Sequence, residues 1–177
     1  CVFIGRQAGY GVTTGSYNMA IGNESMQAAC TGNHNVGVGR DTLRAVTAGN
    51  FNIALGNDTN RTCTTGDNNV AIGHRALFSN TVSDNVAIGF KAAEETTSGG
   101  SKVAIGYEAL RFSTTGADNT AIGHGALDTL TTGYKNTAVG SNCGTAVTTG
   151  YNNIAIGTSA EGTLTTGYRN IIIGTSS

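Results

Sequence analysis

An apolar triplet that ends in glycine recurs eleven times along this chain of 177 residues. Nine of the intervals between the closing glycines are 17 residues long, and the interval from Gly73 to Gly89 is 16. A period of this size is typical of a solenoid, in which each repeat forms one coil stacked on its neighbours. The repeat glycines are Gly5, Gly22, Gly39, Gly56, Gly73, Gly89, Gly106, Gly123, Gly140, Gly157 and Gly174.

The repeat unit reads Asn-(Val/Ile)-Ala-Ile-Gly, then Ala-Leu, then Thr-Thr-Gly, with variable residues between these blocks. The Asn-Val-Ala-Ile segment and the segment ending in Thr-Thr are both short, β-branched and stopped by glycine, which favours strands over helices. The sequence therefore predicts an all-β solenoid, a parallel β-roll or β-prism of about eleven coils with two strands per coil. At 4.7–4.9 Å per coil the rod would be roughly 50 Å long.

We expect residues 1–177 to form a single continuous repeat array. Solenoids need polar capping units to block further stacking, and neither end of this sequence has one. The strand at residues 171–173 is the most apolar of all. The sequence therefore predicts a segment of a longer fibre, or a subunit that stacks end to end.

Charge is scarce and confined to a few points of the repeat. Only 12% of residues are charged and the net charge is −1, which gives no electrostatic case for nucleic acid or an anionic membrane. No apolar run approaches ~18 residues, so we expect no membrane insertion. The eleven Asn-x-Ala-Ile-Gly windows hold one charged residue, Lys102.

The first strand is predicted to be covered on both faces, because side chains alternate along a strand and neither face carries regular charge. One cover is the interior of its own coil. A 17-residue coil has too little chain to supply the other, so we expect a second copy of the chain to provide it. The pattern leaves open whether Val70 and Ile72, or Asn69 and Ala71, meet the partner.

An asparagine precedes the apolar triplet in nine coils. We interpret it as a stacked amide ladder, or a turn amide that caps backbone groups, in preference to a carbohydrate contact. Together with the repeat glycines, it forms the structural ladder of the solenoid. The asparagines are Asn18, Asn35, Asn52, Asn69, Asn85, Asn119, Asn136, Asn153 and Asn170.

The unit Asn-x-Ala-Ile-Gly-x-x-Ala-Leu-x-x-x-Thr-Thr-Gly-x-x-Asn resembles the repeats of phage tail-fibre proteins. Its core at residues 70–73, 86–89 and 103–106 is also similar to the head repeats of trimeric autotransporter adhesins, whose repeats are shorter. The resemblance covers the whole chain. It implies a homotrimeric fibre, an extracellular or virion-surface location, and a structural role in host attachment.

We find no arrangement of residues that predicts an enzyme, a cofactor or a metal site. His74 and His124 share a position in the repeat but are three coils apart, roughly 14 Å, which is too far for one metal ion. Glu94 and Glu95 are expected to form a solvated edge and not an acid–base pair. For Cys1, Cys30, Cys63 and Cys143 we favour buried or half-buried free thiols, with interchain disulfides as the alternative.

Tyr134, Tyr151 and Tyr168 occupy one position in three consecutive coils, so they are predicted to form a stripe with ~5 Å steps. The stripe either rigidifies a bend or binds a host-surface glycan or receptor. Three glycosylation sequons, beginning at Asn23, Asn57 and Asn60, also lie at predicted bends.

Two other functions remain open at this point. A bacterial surface adhesin or extracellular filament would be built from the same roll. An ice-binding solenoid would use the recurring threonines, although adjacent residues of a strand point to opposite faces, so that each face would show only one threonine column.

Overall fold

The computed structural model describes residues 1–160 and 165–175. Its secondary structure consists of eleven three-residue β-strands, one for each apolar triplet. They are β1 (Val2–Ile4), β2 (Met19–Ile21), β3 (Val36–Val38), β4 (Ile53–Leu55), β5 (Val70–Ile72), β6 (Val86–Ile88), β7 (Val103–Ile105), β8 (Thr120–Ile122), β9 (Thr137–Val139), β10 (Ile154–Ile156) and β11 (Ile171–Ile173).

The strands form one parallel sheet in sequence order, so the chain climbs one rung per repeat. This confirms the predicted all-β solenoid, with about ten turns. Equivalent residues pair throughout, and β5 and β6 keep this register across the 16-residue interval, with Val70 opposite Val86. Within the described residues, no helix is long and apolar enough to cross a bilayer.

The interior of the coil is lined by small and medium side chains. The central residue of each strand from β2 to β10 points inward and is buried, while the first and third residues point outward. The Ala-Leu block closes the other side of the core, as Ala109 and Leu110 show. The strand centre is alanine in β2 and in β4 to β10 and glycine in β3, so the buried side chains there are small.

The coil turns at three left-handed corners, and most are not glycine. Around one turn they fall at Glu108, Leu110 and Asp118, with φ near +55°. Left-handed backbone disfavours a side chain, so repetition of these corners indicates that coil stacking outweighs the local cost. The triplet glycine is different, because φ is +136° at Gly106 and a Cβ there would overlap the carbonyl of Gly123.

The predicted second strand is absent from the described residues; each coil has one strand. The Thr-Thr-Gly segments bend instead of extending, although they still bond from coil to coil. The carbonyl of Thr64 accepts from the backbone N–H groups of Thr47, Ala48 and Gly49 at 2.9, 3.0 and 3.3 Å. Because one carbonyl takes three consecutive donors, the segment wraps around that oxygen and cannot form a regular ladder.

The predicted asparagine ladder is confirmed. The backbone N–H and the Nδ2 of Asn136 donate to Asn119 Oδ1 at 2.9 and 3.2 Å. Asn136 Nδ2 also donates to the carbonyl of Gly150 at 2.8 Å, and Asn153 repeats the pattern one coil later. Each buried amide thus ties the strand to the Thr-Thr-Gly bend of the next coil.

Candidate functional surfaces

The outer face of the sheet is an uncharged apolar strip. Ile53, Ile122, Ile154 and Ile156 are between 38 and 41% exposed, whereas the alanines between the two outward columns are buried. This settles which side of the strand faces the core. One column is Val2, Met19, Val36, Ile53, Val70, Val86, Val103, Thr120, Thr137, Ile154 and Ile171; the other is Ile4, Ile21, Val38, Leu55, Ile72, Ile88, Ile105, Ile122, Val139, Ile156 and Ile173.

The strip is large for a single chain. Eleven rungs of three-residue strands span ~50 Å by ~10 Å, an area on the order of 500 Å². The largest apolar patch on an ordinary monomer measures about 300–600 Å² and is often functional. The strip therefore lies at the upper end of that range without a single charged side chain.

The predicted tyrosine stripe exists as a stacked column. The ring centroids of Tyr134 and Tyr151 are 5.0 Å apart, and those of Tyr151 and Tyr168 are 5.2 Å apart, with interplanar angles of 4° and 6°. A sugar ring inserted between two of them would need about 7 Å, twice an optimal carbon–carbon separation. The inner ring faces are therefore closed, and ring edges and hydroxyls are what a ligand would meet.

Two further aromatic columns were missed in the sequence because they mix residue types. His74, Phe90, Tyr107 and His124 stack in sequence, with centroids 5.0–5.5 Å apart. The sequence signal that could have revealed this column is the position its residues share, directly after four consecutive triplet glycines. His74 and His124 are thus the two ends of one column. The other column comprises Tyr17, His34 and Phe51.

Threonines form two neighbouring columns on the bend. The hydroxyl of the first threonine is hydrogen-bonded to the next coil. Thr47 Oγ1 donates to the Thr64 carbonyl at 3.0 Å, and Thr148 Oγ1 donates to the Thr165 carbonyl at 3.2 Å. The second, as at Thr132 and Thr149, is exposed. Because the segment bends and is not a strand, the alternation of faces expected for a strand does not apply to this pair.

Arginines and carboxylates alternate along the bends of the first four coils. Glu24 lies between Arg6 and Arg44, at 4.0 and 3.1 Å. Asp41 lies between Arg44 and Arg40, at 3.4 and 3.2 Å. Asp58 then continues the network to Arg61 at 3.5 Å. We call this series the N-terminal ion-pair network.

The groups with known catalytic or metal-binding chemistry do not converge. Within residues 1–160 and 165–175, no three His, Cys, Asp or Glu side chains come together to hold a metal ion. Glu94 is buried and paired with Arg75 and Lys91, while its neighbour Glu95 is exposed. This arrangement is a structural ion pair and not the solvated edge expected for both residues.

The cysteines lie at different depths. Cys1 is exposed, and Cys30, Cys63 and Cys143 are buried. Burial raises the pKa of the Cys63 thiol to about 11 and that of Cys30 in the same direction, so both stay protonated and unreactive at neutral pH. Of the four cysteines only Cys1 is exposed, so the predicted alternative of an interchain disulfide would have to use Cys1.

One of the three sequons is not at the surface. Asn60 is completely buried, so it does not serve as a glycan acceptor, contrary to the expectation that all three lie on open bends. Asn60 occupies the position of the core leucine in its coil and contacts Asn80 inside the rod. Asn23 and Asn57 are half-exposed.

No protein-family model matches the chain, and no curated protein or solved structure is significantly similar to it. The resemblance to phage tail-fibre repeats and adhesin heads therefore stays a prediction from the repeat residues. Function has to be inferred from the surfaces described above.

Proposed function

We propose that this chain is a non-enzymatic shaft segment of a homotrimeric phage tail fibre that takes part in host attachment. The observation that carries the proposal is the uncharged apolar strip on the outer face of all eleven strands. A strip of this size left open to water is unfavourable by about 25 cal/mol per Å². Burial of the strip against a partner therefore favours assembly of the rod.

A second copy of the chain fits this strip best. The strip repeats at the rung spacing of the solenoid, and a partner must offer ridges with the same spacing along the whole rod. Another copy does so automatically. The strip alone, on the order of 500 Å², supplies more than half of the ~800 Å² per partner of a stable interface. The count of three comes from the resemblance to trimeric fibres.

Light scattering coupled to size exclusion tests the proposal. The wild-type chain should elute at three times the 17.9 kDa chain mass. Replacing outward Val103 and Ile105 together by lysine should give the single-chain mass with an unchanged β spectrum, because buried unpaired charges oppose assembly. Thr115→Lys, on an exposed bend, is the matched control and should stay trimeric. A wild-type chain that is folded and monomeric would contradict the proposal.

A bacterial surface adhesin or extracellular filament is the alternative within the same class. It would use the same strip for the same purpose. The neighbouring domains of the full-length protein discriminate between the two. A coiled-coil stalk followed by a membrane barrel favours the adhesin, whereas a tail-attachment or chaperone domain favours the tail fibre.

Ice binding gains one supporting observation, since the second threonine of the pair is exposed, as at Thr132 and Thr149. Regular hydroxyl columns along a rigid rod suit an ordered water surface. However, the first column already donates to backbone carbonyls, which leaves mainly the second free to bind water. A thermal-hysteresis measurement on the wild-type chain decides this alternative, and we expect no activity.

A further inference from the structure

A shallow groove of about 630 Å³ runs across the bends of the first four coils. Its walls are Gln7, Tyr10, Gln27, Arg44, Arg61 and Thr62, and its floor is Ala28 and Ala45. The volume falls within the range of small-ligand sites. None of these residues belongs to the apolar strip, so assembly through the strip does not use them.

The planar side chains of the groove are linked to one another. Gln27 Nε2 donates to Gln7 Oε1 at 2.8 Å, and Arg44 Nε donates to Gln27 Oε1 at 2.9 Å. Arg44 is held in turn by Glu24 at 3.1 Å. These groups are therefore ordered before any ligand arrives, which lowers the entropy cost of binding.

The arginines of the N-terminal ion-pair network are more exposed than the carboxylates that pair with them. Residues 1–61 hold four arginines and three acidic residues. In the ion-pair network, the arginine side chains are 34–74% exposed, while the carboxylates of Glu24, Asp41 and Asp58 are 9–19% exposed. A ligand that approaches from solvent therefore reaches the guanidinium groups more readily than the carboxylates.

Tyr10 supplies an open aromatic surface at one end of the groove. It is 78% exposed and belongs to none of the stacked columns, so its ring face is not covered by a neighbouring ring. This distinguishes Tyr10 from Tyr151, whose ring is stacked on both sides. The C–H face of a sugar ring packs well against such a surface.

We propose that this groove binds a saccharide that carries a carboxylate, such as a sialic or uronic acid unit. Arg61 receives the carboxylate through its two Nη groups, since its ion pair with Asp58 engages Nε. Tyr10 packs against a sugar ring, and Gln7 and Gln27 bond hydroxyls. The inference rests on the proposed attachment function, because it assigns the attachment contact to the shaft.

An acidic peptide is a poorer fit. The backbone of the floor is already committed, since the N–H of Ala28 donates to the Arg44 carbonyl and that of Ala45 to the Arg61 carbonyl, both at 3.0 Å. A peptide therefore cannot add as an extra strand here. The alanine floor also lacks a deep pocket that would anchor an apolar side chain.

Saturation-transfer NMR and calorimetry test the site, with sialyllactose and trigalacturonic acid as probes. Lactose serves as the neutral control and hexaglutamate as the acidic peptide control. Both acidic saccharides should bind, more weakly as salt is raised. Tyr10→Ala and Arg61→Gln should each weaken binding at least about fivefold, the loss of ~1 kcal/mol.

The matched controls are Tyr107→Ala and Arg111→Gln. Arg111 lies at the same point of the repeat as Arg61 but outside the groove, so both controls should bind like wild type. Binding of neither acidic saccharide, equal binding of lactose, preference for hexaglutamate, or equal losses in the controls would overturn the site. Light scattering on the same samples reports assembly separately, so a failure here is distinguishable from failure of the shaft proposal.

Discussion

Lys102 stands in the interior at the point where nine other coils place asparagine. It is completely buried, and its Nζ donates to the carbonyls of Ser113 at 2.7 Å and Ser98 at 3.4 Å. Within the described part of the chain no carboxylate pairs with the amine, and burial lowers its pKa to about 7. Because lysine has no acceptor, it breaks the amide ladder between Asn85 and Asn119.

The surrounding interior is adapted to this amine. One interior column is apolar in most coils, at Val46, Cys63, Leu130 and Val147, but polar near Lys102. There the column continues as Asn80, Thr96 and Ser113. The Ser113 hydroxyl has no hydrogen-bond partner, as is also true of Asn60 Nδ2 in another coil of the interior.

We predict that Lys102→Asn stabilises the rod and removes a pH dependence. The unfolded amine titrates at 10.5 and the folded amine at about 7. As pH falls from 10.5 towards 7, only the unfolded chain gains the proton, so wild-type stability falls through this window and levels off below it. At about 1.4 kcal/mol per pKa unit, the full effect is roughly 5 kcal/mol.

Urea unfolding between pH 7 and 10.5 measures the Lys102→Asn prediction. The free energy of unfolding of the wild type minus that of the variant should rise with pH across this window. The buried thiols of Cys30 and Cys63, whose raised pKa values lower stability above about pH 9, act on both proteins alike and cancel in this difference. Lys135→Asn, at an exposed corner, should follow the wild type. Identical slopes for the wild type and Lys102→Asn would show that the amine is not shielded from water.

At the scale of the element, the asparagine ladder adds to the hydrogen bonds that hold successive strands together. A three-residue strand makes few backbone hydrogen bonds. Asn136, for example, donates three more, two to Asn119 in the coil before it and one to Gly150 in the coil after it. The ladder also explains why aspartate never occupies this position, since every bond to Gly150 or its equivalents requires an N–H donor.

We predict that Asn136→Ala lowers the free energy of unfolding by about 2–4 kcal/mol, because it leaves the buried Gly150 carbonyl and the Asn153 backbone N–H without their partners. Asn136→Asp should cost at least as much at neutral pH and recover partly in acid, when the carboxyl gains a donor. Chemical denaturation at pH 7 and pH 4 compares them. Asn23→Ala, outside the ladder, should change stability by less than about 0.5 kcal/mol.

At the scale of the whole molecule, each strand contacts only the strands before and after it. The stability of such an array is the sum of coil terms and neighbour terms. The 16-residue coil between Gly73 and Gly89 shows that length is adjustable at a bend, since β5 and β6 remain in register across it.

Deletion of one whole coil, residues 124–140, should therefore leave a folded rod one rung shorter. The dependence of unfolding free energy on urea should fall by about a tenth, in proportion to the surface exposed on unfolding. Circular dichroism reports whether the shortened rod is folded, and urea denaturation measures the urea dependence of its unfolding free energy. Deletion of residues 124–131 alone should disrupt folding at the cut, since it leaves nine of the 17 residues from 124 to 140, too few to close a coil.

The sequence determined the solenoid, the rung spacing, the asparagine ladder and the tyrosine column, because strict periodicity places equivalent residues on top of one another. It did not determine which side of Val70–Ile72 faces inward, since both faces lack charge. Nor did it predict that the Thr-Thr-Gly segment bends around a carbonyl, that Asn60 and Lys102 lie inside, or that Gln7, Tyr10 and Arg61 share a groove. Those features depend on how a coil closes around its core and on side chains from different coils meeting at its bends, which only the tertiary structure decides.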